Sequence, residues 1–384
     1  MQFKTKMIPL AGAIAFAFAG VASAAEEQIV KIGHVGPISG SIAHLGKDNE
    51  NGGRMAIEEL NAKGLIIGGK KIKFELQAED DAGDPKQGTT VAQKLVDAKV
   101  KGVIGHLNSG TTIPASKIYY EAGIPQISPS ATNPKYTQQG FKSAFRVVAN
   151  DGQLGGTLGR YAVQILKAKK VAVIDDRTAY GQGVAEEFIK GAKSKSAGVE
   201  VVSQQYTNDK ATDFNAILTS IKAKNPDVVF FGGMDAVAGP MLRQMKQLGI
   251  TAKFMGGDGI CSEGLTKLAG DAIGEGQVIC AEAGGVVETD KKGMEDFKAA
   301  YKKKFGVNVE IYAPYVYDAL NVMVAAMQKA NSVEPAKYLP ELAKIKYKGV
   351  TGPIAFDAKG DIKDGTLTLY TYKAGARSLM AVVK

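Results

Sequence analysis

The chain has 384 residues, with 45% hydrophobic and 23% charged side chains. That balance excludes fibrous and disordered classes and, at this length, implies about two domains. The formal charge is +9, yet the lysines alternate with acids and apolar residues along stretches such as "DKKGMEDFKAAYKKKFG". This is a solvated surface rather than a basic-aromatic track, so no nucleic-acid partner is expected.

The first residues, "MQFKTKMIPLAGAIAFAFAGVASAAEEQ", place Lys4 and Lys6 before an apolar run from Met7 to about Val21, followed by "ASA". This order is that of a secretory leader, predicted to be cleaved after Ala24 and to leave an exported protein. A retained anchor is the competing reading, but the run is short of the roughly 20 residues a span needs. Cys261 and Cys280 are the only cysteines. In an oxidising compartment they are predicted to form one structural disulfide closing a surface loop. A metal site would need partners, and His34, His44 and His106 all lie far upstream.

Beyond the leader, short β-rich runs alternate with helical patterns. "IVKIGHVGP" reads as a strand and 48–64 as a helix with Met55, Ile57 and Leu60 on one face. "KKIKFELQAED", "KGVIGH" and "IPQISPS" read as strands separated by the helices "DPKQGTTVAQKLVDAKV" and "TTIPASKIYYEAG". Such a βαβ succession closes as a parallel sheet with helices on both faces. After "KSAFRVVANDGQ", taken as a strand-like piece ending in an Asn150-Asp151-Gly152 turn, the succession restarts with "KAKKVAVIDD" and runs to "AKFMGGDG". The last quarter is mixed: a strand at "GEGQVICAEAG", helices at "DKKGMEDFKAAYKKKFG" and "APYVYDALNVMVAAMQKA", and a hairpin-bearing tail. Two similar α/β lobes are implied, with periodicity silent on which one the tail completes.

The candidate chemistry lies at strand ends. In "GHLNSGTTIPAS" a strand passes through small hydroxyl residues into a helix, the position at which helix N–H groups receive an anion and at which open α/β sheets bind ligands. Ser109 or Thr111 can equally be a plain N-cap. The next strand edge, "SPSATNP", repeats the theme with Ser130 and Thr132. In the second unit "DDRTAYGQG" places Tyr180, and "FMGGDG" places Asp258, at corresponding edges. Donors on one lobe and an acid on the other suit a zwitterion.

The stretches "VKIGHVGPISG", "EDDAGDPKQGTTVAQKLV", "VIGHLNSGTTIPAS", "SPSATNP", "YGQGVAEEF", "GGMDAVAGPMLRQMKQLG" and "FMGGDG", in this order, resemble type I periplasmic solute-binding proteins of the branched-chain amino acid transport family, from end to end of the mature chain. The resemblance implies two Rossmann-like lobes joined by three crossover segments near Val148, Cys280 and Phe356. Lobe one would be 27–148 plus 281–355, and lobe two 151–279 plus 356–384. It implies a periplasmic monomer without cofactor or catalytic residues, which closes on an amino acid, leucine-like by preference, and presents it to a membrane permease with its ATPase. By position, Ser109 and Thr132 match residues that hold the α-carboxylate and α-ammonium, with the backbone of Ser130 and Ala131 contributing. Tyr180 matches a tyrosine closing from lobe two, Asp258 an ammonium-binding acid that is typically Glu, and Asp151 an acid near the same network.

Two departures bear on the ligand. Leu45 and Met234 stand where the family usually has aromatic walls, which suits aliphatic side chains and could admit a phenylalanine ring or another small carboxylate or amide. Asp235, if turned inward, would favour a basic amino acid, but an outward N-cap is the preferred reading. His44 reads as a surface residue rather than a pocket residue. Tyr312, Tyr315 and Tyr317 read as core and cleft-rim packing. An enzyme is the rival class; the chain has no GxSxG, HExxH or GxxxxGK[ST] motif and no histidine in the second unit.

Overall fold

The structure is a computed structural model describing residues 1–2, 26–194, 198–287 and 291–383. The predicted leader's apolar run and cleavage point lie outside the described residues. Among the described residues no helix is long and apolar enough to cross a membrane.

The first part of the chain supplies β1 (Glu27–Gly36), α1 (Ala43–Ala62), β2 (Ile66–Ile67), β3 (Lys70–Asp80), α2 (Pro85–Asp97), β4 (Val103–Gly105), α3 (Ser109–Glu121), β5 (Gln126–Ser128), α4 (Lys135–Gln138) and β6 (Ala144–Arg146). Its sheet has the order β2-β3-β1-β4-β5-β6, parallel throughout except for the edge pair β2–β3. The second part supplies α5 (Asp151–Gln164), β7 (Lys170–Asp175), α6 (Ala179–Ser194), β8 (Glu200–Tyr206), α7 (Asn215–Lys222), β9 (Val228–Gly232), α8 (Asp235–Gln247), β10 (Lys253–Gly256), α9 (Gly264–Ala269) and β11 (Val278–Glu282). Then come α10 (Lys291–Phe305), α11 (Ala313–Lys329), α12 (Pro335–Ala343), the hairpin β12 (Lys346–Gly349) and β13 (Gly352–Ala355), and finally β14 (Leu367–Lys373) and β15 (Ala376–Val383). The second sheet runs β15-β14-β11-β10-β9-β7-β8, with the tail hairpin β14–β15 added antiparallel to β11.

The reason for unbroken apolar strands is visible in β9. Val228, Val229, Phe230 and Phe231 are all fully buried. Val228 and Phe230 belong to one apolar cluster, Val229 and Phe231 to another. Successive side chains point to opposite faces, and both faces carry helices. In the first sheet Ile32, Ile104 and Ile127 meet Val316, Leu320 and Met323 of α11 in the same way, which is why α11 carries an almost wholly buried sequence.

Several boundaries differ from the sequence reading. Helix α1 begins at Ala43, five residues before the expected 48, and so takes His44 and Leu45 into its first turn. The expected Asn150-Asp151-Gly152 turn is the start of α5: the Asn150 side chain accepts from Gln153 N, and the Gln153 side chain accepts from Asn150 N, a capping box. The return near Cys280 falls later, because β11 pairs with β10 and β14 through Glu282. The third passage also falls later than Phe356. Gly360 O still accepts from Arg146 N and Asp361 still pairs with Arg146, before β14 enters the second sheet. Cys261 and Cys280 are bonded, but both are fully buried. They tie the turn after β10 to β11 rather than closing a surface loop.

Candidate functional site

In the first sheet strand order reverses between β1 and β4, and in the second between β7 and β9. The carboxyl ends beside such switch points are where open α/β sheets leave a crevice. Residues after β1, β4 and β5 on one lobe and after β7, β9 and β10 on the other form the facing walls here.

On lobe one Asn108 takes the N-cap of α3 without a side-chain bond, so neither Ser109 nor Thr111 is the cap. The Thr111 and Thr112 hydroxyls donate back to Asn108 O at 3.1 and 2.8 Å, and Ser116 donates to Ile113 O. Ser109, buried, instead accepts from Asn133 N at 3.2 Å and so couples the β4 and β5 edges. Ser130 Oγ donates to Leu107 O, Ala131 N donates to Ser128 Oγ, and Ala131 O accepts from Arg146. The Ser130 hydroxyl and the Ala131 backbone thus have partners within lobe one. Thr132 differs: its Oγ1 is buried with no hydrogen-bond partner, and so are both oxygens of Asp151 beside it. Asp151 N donates to Thr132 O at 2.8 Å, which holds the two side chains together. Burial, opposed by the Thr132 hydroxyl that faces it and reinforced by the charge of Asp258, pushes the Asp151 carboxyl up to about 8.

On lobe two Tyr180 OH donates to Asp258 Oδ1 at 2.8 Å and accepts from Gly259 N at 2.9 Å. A Cβ on Gly257 would lie 2.6 Å from Tyr180 Oη. One on Gly259 would lie 2.7 Å from Met234 Sδ and 2.8 Å from the Tyr180 ring. Glycine on both sides of Asp258 is therefore what lets Tyr180 and Met234 close over it. The other carboxylate oxygen, Oδ2, accepts from Tyr312 OH at 3.0 Å. Tyr312 precedes α11 on lobe one, so this bond crosses the cleft. Burial raises the Asp258 carboxyl to about 6, and the two tyrosine hydroxyls hold it from rising further. Sequence reasoning missed Tyr312 as more than packing; its place at the N-cap of α11, directly ahead of Ala313-Pro314, was the available signal.

The apolar walls expected at Leu45 and Met234 are buried in the same cluster as Tyr180 and Tyr312. Asp235 overturns its expectation. Met234, not Asp235, is the N-cap of α8, and Asp235 lies in the first turn with no exposure. Its Oδ2 accepts from Ser262 Oγ and from His44 Nε2, the latter at 2.7 Å across the cleft. His44 is thereby an interlobe residue rather than a free surface one. Among the described residues no group of His, Cys, Asp or Glu is placed to hold a metal ion.

Two parallel sheets whose switch points face each other, with acids and hydroxyls buried between them, define a receptor that encloses a small polar ligand. The comparisons agree. A model of the periplasmic binding protein family matches residues 29–377. The Leu/Ile/Val-binding protein homolog 1 of Brucella abortus is 39% identical over 382 residues, 97% of each chain. The leucine-, isoleucine-, valine-, threonine- and alanine-binding protein of Pseudomonas aeruginosa is 35% identical over 94% of this chain and 95% of its own. Among solved structures, the branched-chain amino acid transporter substrate-binding protein LivJ of Streptococcus pneumoniae, in complex with isoleucine, superposes with a TM-score of 0.81 at 28% identity, covering 93% of this chain and 99% of that one. The chain belongs to the periplasmic binding protein family.

Proposed function

We propose that the protein is an exported receptor that captures a branched-chain amino acid between its lobes and delivers it to the permease of an ABC transporter, as a carrier and not an enzyme. The observation that carries the reading is that Thr132 Oγ1 and the Asp151 carboxyl lie buried beside each other with no other hydrogen-bond partner, with Asp258 on the facing edge. Buried polar groups are hydrogen-bonded as a rule, and an α-ammonium supplies the donors that these acceptors lack. The first turn of α3 at Ser109 offers N–H groups to the α-carboxylate, and Leu45, Met234 and Tyr312 offer an apolar wall to the side chain. Closure occurs about the three passages between lobes, with Tyr180 and Asp258 brought onto a ligand first held by Ser109 and Thr132.

The test is isothermal titration of protein that has been unfolded and refolded to strip it of carried ligand, against leucine, isoleucine, valine, threonine, alanine, phenylalanine and arginine. Micromolar or tighter binding of the branched-chain set, returned chemically unchanged, is expected. Ser109→Ala and Thr132→Ala should each cost about 1–3 kcal/mol of binding, as for hydrogen bonds to charged groups. Unchanged affinity in both variants would remove the head-group assignment. A mature N-terminus at Ala25 in the exported protein is expected from its intact mass.

A further inference from the structure

His44 and Asp235 each adjoin a proposed wall residue, Leu45 and Met234, and they meet from opposite lobes at 2.7 Å. The Asp235 side chain has no exposure and that of His44 has 30%. Asp235 Oδ2 also accepts from Ser262, whereas Oδ1 is buried without a partner. A Cβ on Gly264 would lie 3.3 Å from His44 Nε2 and 3.4 Å from Asp235 Oδ2, so chain packs directly over the pair. A lone buried acid at this end would invite a cationic side chain, because an uncompensated buried charge is costly and a ligand cation would relieve it.

Resting on the amino-acid reading above, we propose that His44 is a specificity-determining positioning residue: by pairing with Asp235 across the closed cleft it cancels that charge and confines the ligand to neutral side chains. Because the pair joins the lobes, it also contributes to closure. The groups facing His44 are Asp235 from α8, Glu310 from the loop before α11, and Asp48 from its own helix. Burial opposes its charged form, but these acids outweigh burial and raise its pKa above the ordinary value. Asp48 is itself held by four backbone N–H groups of residues 310–313. Glu310 accepts from Gly264 N, while Arg377 pairs with Glu263 and donates to Glu310 O. Lys47 on α1 is exposed. With its folded value raised, the charged pair is complete below the ordinary histidine pKa of about 6.5 and is lost as pH rises through the higher folded value.

The experiment is calorimetric titration of leucine and lysine into the wild type, His44→Ala, His44→Lys and His44→Ala/Asp235→Asn at pH 6 and pH 8.5. Asp151 and Asp258 titrate in every variant, so the reading is the difference between wild-type and His44→Lys profiles. The wild type should bind leucine and not lysine, with leucine affinity falling roughly threefold to tenfold more between the two pH values than in His44→Lys. His44→Ala should gain lysine binding, and the double variant should lose that gain. His44→Lys, a cation that does not titrate in this window, should keep lysine out. Leucine binding by His44→Ala with the wild-type pH profile and no gain of lysine overturns the inference while leaving the amino-acid reading intact. A wild type that binds no neutral amino acid overturns that reading, and this inference with it.

Discussion

At Asp151 the proposed part in ligand binding and the cost to stability pull in opposite directions. Its carboxyl sits at about 8 in the folded protein, against an ordinary value near 3.9. A raised folded value means that its contribution is full below the unfolded pKa and is lost as pH rises from about 4 to 8. Asp151→Asn should therefore raise the melting temperature of the ligand-free protein, by an amount that grows between pH 5 and pH 8, while weakening leucine binding. Thermal melts across that range would show it, and a gain independent of pH would sink the assignment. Asp258 offers the complementary test. It must be charged to receive an ammonium, so affinity should fall as pH drops through about 6. Tyr312→Phe removes one of the bonds that favour the charged form, and the acid limb of the titration should move to higher pH. That buried hydroxyls and acids gather at the strand ends was legible, because such residues recur after apolar strands in the sequence. The direction in which a side chain turns was not. Asp235 after "FFGGM" looked like an outward cap and proved to be an inward partner of a residue 191 positions away.

Helix α5 shows at the scale of elements what pattern reading missed. In "DGQLGGTLGRYAVQ" glycine recurs, and glycine lowers helix propensity by about 1 kcal/mol per residue relative to alanine. The physical reason for it lies in α6. A Cβ on Gly159 would stand 2.1 Å from Phe188 O and 2.5 Å from Ala192 N, and one on Gly155 would stand 2.5 Å from Val184 O. The two helices touch backbone to backbone through Gly155 and Gly159, four apart on one face of α5, but which element meets that face is non-local and not written in the segment. Gly159→Ala should accordingly destabilise the protein by on the order of 1–3 kcal/mol in urea unfolding, overpacking outweighing the propensity gain. Gly156→Ala is the internal control: its nearest neighbour is the flexible Arg160 guanidinium at 3.3 Å, and its effect should be neutral or stabilising. Equal gains at both positions would show that propensity, not close approach, governs this helix. The strands, by contrast, were easy to find. Runs buried on both faces, such as Val228–Phe231, have one common explanation.

For the whole molecule, alternation of strand and helix was enough to reveal two α/β lobes, but the passages between them were displaced in the reading. Whether Ala281 and Glu282 belong to one sheet or the other depends on pairing with Leu369 and Thr368, nearly 90 residues downstream, which local sequence does not encode. The lobes are also stabilised differently. Lobe two contains the Cys261–Cys280 bond, spanning 19 positions, a loop for which chain entropy gives about 3 kcal/mol. Polar contacts between the lobes include His44 with Asp235, Tyr312 with Asp258, Tyr315 with Glu282, Gly264 and Arg377 with Glu310, and Asn133 with Ala179 O, beside an apolar cluster to which both lobes contribute. The disulfide braces lobe two only, and removing it by Cys261→Ala/Cys280→Ala in the ligand-free protein should lower the stability of that lobe first. Calorimetry should then resolve a separate, earlier transition. A ligand held by both lobes ties their unfolding together, and at about 100 times Kd it adds about 2.7 kcal/mol by mass action. Saturating leucine should merge the two transitions into one. If the transitions stay apart with leucine bound, the ligand engages a single lobe, and closure is not how this receptor holds it.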